Sequence, residues 1–302
     1  MTVTARAPAK VNVHLGVGPL RADGFHELRT VYLAVSLFDT VTVGPGDGLS
    51  VSVTGEGAGG DVPTDRRNLV WQAAELLSAH AGVPADATIA VAKNIPAAAG
   101  LAGGSADAAA ALVALDELWG TRASRGDLAG LAARLGSDVP FSLAGGVALG
   151  SGRGEQLSPV LARRPSHWVL GIAADGLSTP SVYGELDRLR AAGRVPDGTD
   201  LSSADAVLGA LRDGPAAALG AALSNDLQAP AFSLRPELRR ALRAATDAGA
   251  VAALVSGSGP TVAALTDDED AAVRLAAVLA GEGVFRTVRV AHGPVPGARV
   301  LS

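Results

Sequence analysis

One stretch constrains the fold more than any other: Lys93–Leu112, KNIPAAAGLAGGSADAAAAL. The alternation at Thr88–Lys93 predicts a strand, a run of small residues follows it, and an apolar helix opens near Ser105. Gly100, Gly103 and Gly104 lack Cβ, so the backbone is free to take left-handed angles and bring its N–H groups against a ligand. Ser105, Ala106 and Asp107 begin a helix whose free N–H groups and positive dipole end favour an anion. The same residues also suit a plain strand-to-helix turn built for close packing, and the rest of the chain must separate the two readings.

Other nucleotide motifs do not occur. A P-loop needs Lys after Gly, whereas Lys10 and Lys93 both follow Ala, and the dinucleotide pattern G-x-G-x-x-G is missing. The protein-kinase signatures are missing too. The run does resemble the phosphate loop of the galactokinase, homoserine kinase, mevalonate kinase and phosphomevalonate kinase superfamily, roughly P-x-G-x-G-L-G-G-G-S-S. On that pattern lie Pro96, Ala98, Gly100, Leu101, Ala102, Gly103, Gly104 and Ser105, with Ala98 and Ala102 in place of glycines and Ala106 in place of a serine.

A chain of 302 residues suits one large domain or two of ordinary size. The net charge of −5 argues against a general nucleic-acid surface. Without cysteine there is no disulfide framework and no thiolate chemistry. The N-terminus lacks the charged-then-apolar order of a signal peptide. The charge-free run Ala248–Thr266 contains Gly257-Ser-Gly-Pro260, which breaks any membrane helix. A soluble cytoplasmic protein is expected, a monomer or weak homodimer, with neither nucleic acid nor membrane as partner. Only two of the 25 basic residues are Lys, at positions 10 and 93, which marks both as candidates for places that need a compact ammonium.

Taken in order, Val3–Val17 reads as a strand that Pro8 bulges, with Lys10 and Asn12 on one face. A polar turn follows, Arg21-Ala-Asp-Gly-Phe25-His26-Glu-Leu28. Together, P-A-K-x-N and R-x-D-G-[FY]-H-E-L resemble the 4-diphosphocytidyl-2-C-methyl-D-erythritol kinases within that superfamily, and the likeness covers nearly the whole chain. Strands near 31–43 and 49–54 precede a helix that Asn68 caps and Gly82 ends. A second helix opens on the capping-box spacing Ser124-x-x-Asp127 and closes at Gly136. Gly136-Ser-Asp138-Val-Pro140 then resembles the family's G-[AS]-D-V-P motif, although an Asp before a helix start also serves as an N-cap. The order from His167 onward, with the Gly257-Ser-Gly-Pro260 turn between two strands, predicts a ferredoxin-like half.

The resemblance implies an α+β, two-domain small-molecule kinase fold. An N-terminal ribosomal-protein-S5-like α/β domain (1–158) would hold the nucleotide, and a C-terminal ferredoxin-like domain (159–302) the substrate. It implies transfer of a phosphoryl group from ATP, with Mg2+, to the 2-hydroxyl of 4-diphosphocytidyl-2-C-methyl-D-erythritol in the non-mevalonate isoprenoid pathway. Lys10 and Asp138 would be the catalytic pair, Asp138 as base or positioning group and Lys10 orienting the hydroxyl. Asn68, Pro96, Ala98, Gly100, Leu101, Ala102, Gly103, Gly104 and Ser105 would contact ATP, with Ser105 the candidate metal ligand; Lys93 is placed either to reach the nucleotide ribose or phosphate or to sit solvated at a strand end. Phe25 and Tyr183 would stack on the cytosine, His26 would meet its edge, and Asn12 and Thr179 would contact the polyol or diphosphate. Two alternatives stay open: a kinase of another small alcohol, of homoserine or mevalonate type, and a nucleotide-binding module without transfer activity.

Overall fold

A long hairpin frames the molecule. In the computed structural model, which describes residues 1–58, 62–199, 201 and 203–301, β1 (Val3–Leu20) and β2 (His26–Gly44) pair antiparallel along almost their full lengths. The register shifts between Pro8 and Ala9, as expected of a residue with no N–H to give the ladder. β3 (Leu49–Thr54) and β4 (Ala87–Ala92) extend the sheet beyond one stretch of β2, and β5 (Val147–Ser151) and β6 (Gln156–Pro159) extend it beyond another.

Against this sheet pack α1 (Leu69–Ala81), α2 (Gly103–Trp119) and α4 (Val139–Ala144), and α3 (Arg125–Leu135) packs on those helices. The helix boundaries follow from local chemistry. The Asn68 side chain accepts from the Val70 N–H at 2.9 Å, and Gly82 closes α1 in the left-handed region. Ser124 and Asp127 form the complete capping box of α3. The middle of α2 is almost all alanine because it lies between β1 and β2 on one side and α1 on the other. Ala106, Ala108, Ala109, Ala110, Ala111 and Ala114 have no exposed surface. Methyl side chains allow that close approach without loss of helix propensity.

The chain continues through β7 (Ser166–Ile172), α5 (Thr179–Ala191), α6 (Asp205–Asp213), α7 (Ala216–Ala222), β8 (Ser224–Asn225) and α8 (Gln228–Leu234). It ends with α9 (Glu237–Asp247), β9 (Ala252–Val255), β10 (Val262–Thr266), α10 (Glu269–Gly281), β11 (Thr287–Gly293) and β12 (Arg299–Val300). The second sheet is antiparallel with the order β11-β7-β10-β9. Its first strand lies between its third and fourth, the ferredoxin-like arrangement that the sequence predicts. Two short pieces return to the first sheet. β8 runs parallel to β1 at His14 and Leu15, and β12 lies antiparallel to it at Ala5 and Arg6. None of the helices is long and apolar enough to cross a membrane, among the described residues.

The β9–β10 turn, which begins at Ser256, is pressed onto the loop that precedes α2. Ser256 Oγ donates to the Gly100 carbonyl at 3.1 Å, and the Thr261 N–H donates to the Ala99 carbonyl at 3.3 Å. Gly100 has φ of 76°, and a Cβ there would lie 2.2 Å from the Ser256 carbonyl oxygen. Position 100 therefore admits only glycine. Gly100→Ala is expected to lower unfolding free energy by about 2 kcal/mol or more in urea titration, combining left-handed strain with lost packing. A loss below about 0.5 kcal/mol would mean that the two turns are not tightly docked.

Candidate active site

The loop from β4 to α2 keeps a winding backbone path although two glycines of the superfamily pattern, at positions 98 and 102, are alanine here. Ala98 (φ 50°), Gly100 (φ 76°) and Ala102 (φ 58°) are all left-handed. Such angles cost an alanine about 1 kcal/mol each relative to the right-handed region. Gly103 is close-packed, since a Cβ there would lie 3.1 Å from Ile95 and 3.3 Å from Lys93 Nζ. The path carries residues 98–100 and 102–105 along one wall of an open cleft of about 660 Å³, with the first turn of α2 at its end. Free N–H groups at that end suit an anion.

Lys10 and Asp138 meet beside this wall. Lys10 is 5% exposed; its Nζ donates to Asn12 Oδ1 at 2.5 Å and to the Gly100 carbonyl at 3.1 Å, and stands 3.8 Å from Asp138 Oδ2. Burial pushes the ammonium below the usual lysine range, and the Asp138 carboxylate opposes that shift. Asp138 occupies the N-cap position of α4 but makes no side-chain cap bond. It accepts instead from the Tyr32 hydroxyl at 3.1 Å. Burial, then the Asp138 charge, holds the Tyr32 phenol well above its ordinary value, so it remains a donor. Tyr32 itself stacks on Phe141, which leaves its ring little freedom. A Cβ on Gly257 would sit 3.0 Å from both Lys10 Nζ and Asn12 Oδ1, so the β9–β10 turn roofs the pair closely.

The far end of the cleft is aromatic. Phe25 is 48% exposed, and His26 stacks on Tyr183 with centroids 5.1 Å apart. His26 Nε2 lies 2.9 Å from Asp187 Oδ1, one helical turn beyond Tyr183 on α5. Thr179 Oγ1 is 2.9 Å from Ser258 Oγ, which links α5 to the β9–β10 turn. Arg153, in the β5–β6 turn, lies 4.8 Å above the Phe25 ring.

Comparison with known proteins bears on this geometry. GHMP kinases N terminal domain matches residues 68–146, and GHMP kinases C terminal matches 207–284. A Rhodococcus jostii protein named 4-diphosphocytidyl-2-C-methyl-D-erythritol kinase is 60% identical over 99% of this chain and 95% of its own. The chain belongs to this family of GHMP kinases. The Mycobacterium tuberculosis protein of the same name is 56% identical over 100% of this chain and 93% of its own. A crystal structure of a 4-(cytidine 5'-diphospho)-2C-methyl-D-erythritol kinase superposes with TM-score 0.75 at 34% identity, covering 96% of this chain and 98% of that one. A Cytophaga hutchinsonii homoserine kinase, 20% identical, has TM-score 0.76 over 99% of this chain and 97% of its own, a likeness of fold alone. The kinase is thus an ATP-dependent enzyme of small molecules.

Of the residues singled out from sequence, the cleft gathers Lys10, Asn12, Phe25, His26, Ala98, Gly100, Ala102, Gly103, Gly104, Ser105, Asp138, Thr179 and Tyr183. Four lie outside it. Pro96 and Leu101 are buried beneath the loop, and Leu101 has no exposed surface. Asn68 spends both side-chain ends on nearby backbone, capping α1 by accepting from Val70 and donating to the Pro63 carbonyl at 2.6 Å, and its neighbour Leu69 lines the cleft instead. Lys93 is the clearest correction. It is 1% exposed under the loop, with Nζ donating at 2.6 Å to both Asp39 and Asp107, and it has no path to a ribose or phosphate. Sequence reading missed Tyr32, Arg153 and Asp187. Two of them carried a usable signal, since Asp187 follows Tyr183 by four residues and Arg153 stands between two glycines in a turn.

The Lys93 ammonium joins three elements. Asp39 of β2 also accepts from the N–H groups of Asn94 and Ile95, at 2.6 and 2.7 Å, whereas Asp107 Oδ1 on α2 has no partner. Burial, together with the Asp39 charge and against the pull of Lys93, pushes the Asp107 carboxyl up to about 8. A folded-state value above the unfolded one, about 3.9, adds stability that is complete below it and is lost as pH rises toward about 8. In urea titration from about pH 5 to 8, wild-type stability is expected to fall more steeply with pH than that of Asp107→Asn, by up to about 1.4 kcal/mol per pH unit. Parallel curves would show that Asp107 does not hold the proton.

Proposed function

We propose that this kinase transfers the γ-phosphoryl group of ATP to the 2-hydroxyl of 4-diphosphocytidyl-2-C-methyl-D-erythritol. One observation carries the reading: Lys10 and Asp138, from distant segments, meet at 3.8 Å in a cleft with an anion-binding helix end on one side and Phe25, His26 and Tyr183 on the other. The names of relatives at 56–60% identity support the cytidyl substrate.

Phosphoryl transfer needs charge neutralisation, in-line positioning and help for the attacking hydroxyl, with little covalent work by the protein. The loop backbone and the N-terminus of α2 bind the triphosphate and orient its terminal phosphorus toward Lys10. Asn12, whose Nδ2 donates to Thr30 Oγ1 at 2.8 Å, holds the Lys10 ammonium through its Oδ1 at the polyol end of the cleft. Asp138, held by Tyr32, accepts the proton that the 2-hydroxyl loses as the new bond forms. The cytosine stacks against Phe25 and Tyr183 with its edge at His26, and Thr179 contacts the diphosphate arm.

Mg2+ keeps much of its water and binds through one or two protein oxygens and the nucleotide phosphates. The site fits that mode. No group of three acidic or histidine side chains is placed to hold a metal among the described residues, and Ser105 is the α2 residue that presents a hydroxyl to the cleft. Ser105 would hold the ion, which supplies charge neutralisation to the phosphates. We assign the activity to the cytoplasm, where ATP is available, and to a monomer or weak homodimer.

The test is turnover with ATP on three acceptors: the cytidyl alcohol, homoserine and mevalonate. Only the first is expected to be converted efficiently, and Asp138→Asn should lower its kcat about a hundredfold or more without moving the KM for ATP. Preference for an acceptor without cytidine would overturn the substrate, and full activity of Asp138→Asn would overturn the catalytic pair.

A further inference from the structure

The substrate reading above implies a diphosphate lying between the aromatic end of the cleft and the Lys10–Asp138 pair. Such a group needs a cation, and Lys10 is already engaged by Asn12, Gly100 and Asp138. The other cationic side chain lining the cleft, among the described residues, is Arg153.

Its guanidinium is held by one loose ion pair, to Glu155. The Nε to Glu155 Oε1 distance is 3.9 Å, beyond hydrogen-bond length, and its remaining contact is the Phe25 ring. Arg21, in the neighbouring turn, is by contrast consumed by Asp23 at 3.1 Å and Glu27 at 2.9 Å. The backbone that carries Arg153 is fixed to both ends of the cleft. Gly152 donates to Glu27 Oε1 at 3.0 Å and its carbonyl accepts from Leu28 at 2.8 Å, next to Phe25 and His26. Gly154, with φ of 100°, would place a Cβ 2.2 Å from Tyr32 Oη, the hydroxyl that donates to Asp138. The turn thus spans from the aromatic end to the catalytic carboxylate.

We infer that Arg153 binds the diphosphate of the cytidyl substrate, its planar fork pairing with phosphoryl oxygens while its face rests on Phe25. Guanidinium suits this place because it offers several parallel donors and stacks on an aromatic ring, which an ammonium does less well. Arg153 determines specificity by favouring acceptors that carry a charged diphosphate over neutral nucleosides. The inference rests on the cytidyl reading of the same cleft.

The experiment compares CDP and cytidine by calorimetry on the full chain, with the nucleotide site saturated by a non-hydrolysable ATP analogue. Wild type is expected to bind CDP at least about tenfold more tightly than cytidine. Arg153→Gln should reduce that ratio to about twofold while leaving cytidine affinity unchanged, and Arg153→Lys should recover part of it. In turnover, Arg153→Gln should raise the KM for the cytidyl alcohol and leave the KM for ATP alone. An equal CDP-to-cytidine ratio in wild type and Arg153→Gln overturns the inference while the substrate reading stands. Failure of wild type to bind either compound overturns the substrate reading, and this inference with it.

Discussion

A buried ammonium must be surrounded by acceptors, and this requirement at Lys10 organises the active site. Its hydrogen atoms reach Asn12 on its own strand and the Gly100 carbonyl in the loop, and it stands beside Asp138 at the start of α4. Gly257, from the second half of the chain, closes over it at the distance of a missing methyl group. Three segments remote in sequence therefore meet at one charge, and a fourth covers it. Desolvation at this point is costly unless each acceptor is in place, so the site needs the strand, the loop and the start of α4 together.

The second lysine solves the opposite problem. Lys93 lies between Asp39 and Asp107, inside the protein and out of reach of solvent. It binds the end of β4 to β2 and to α2, the three elements from which the loop hangs. One ammonium faces the cleft and the other holds the floor beneath it. A compact, strongly hydrated cation is the common chemistry of both sites, and only the partners differ.

That contrast marks how far sequence could be read. The scarcity of lysine singled out positions 10 and 93, but Asp39 and Asp107 had no signal that paired them with Lys93. The partners of a buried charge are set by tertiary contact. Helix ends were legible because Asn68, Gly82, Ser124 and Asp127 act on backbone groups a few residues away. The ferredoxin-like order was legible from the alternation of strands and helices. The two-residue strands β8 and β12 were not, because so short a pairing has no periodicity and depends wholly on where β1 lies. The glycine pattern of the loop was readable even through its alanines, since positions 98 and 102 keep left-handed angles. Asp138 sat at an N-cap position in sequence, and only the structure shows its carboxylate turned away from the helix toward Tyr32 and Lys10.

Transfer depends on the acceptor oxygen lying between the triphosphate and this carboxylate. The measurement that reaches it most directly is a crystal structure with an ATP analogue and the cytidyl alcohol bound together. The 2-hydroxyl is expected about 3 Å from the Asp138 carboxylate, with Lys10 beside it and the γ-phosphate in line over residues 100–105. A 2-hydroxyl held elsewhere in the cleft, or a triphosphate bound away from that loop, would contradict this arrangement.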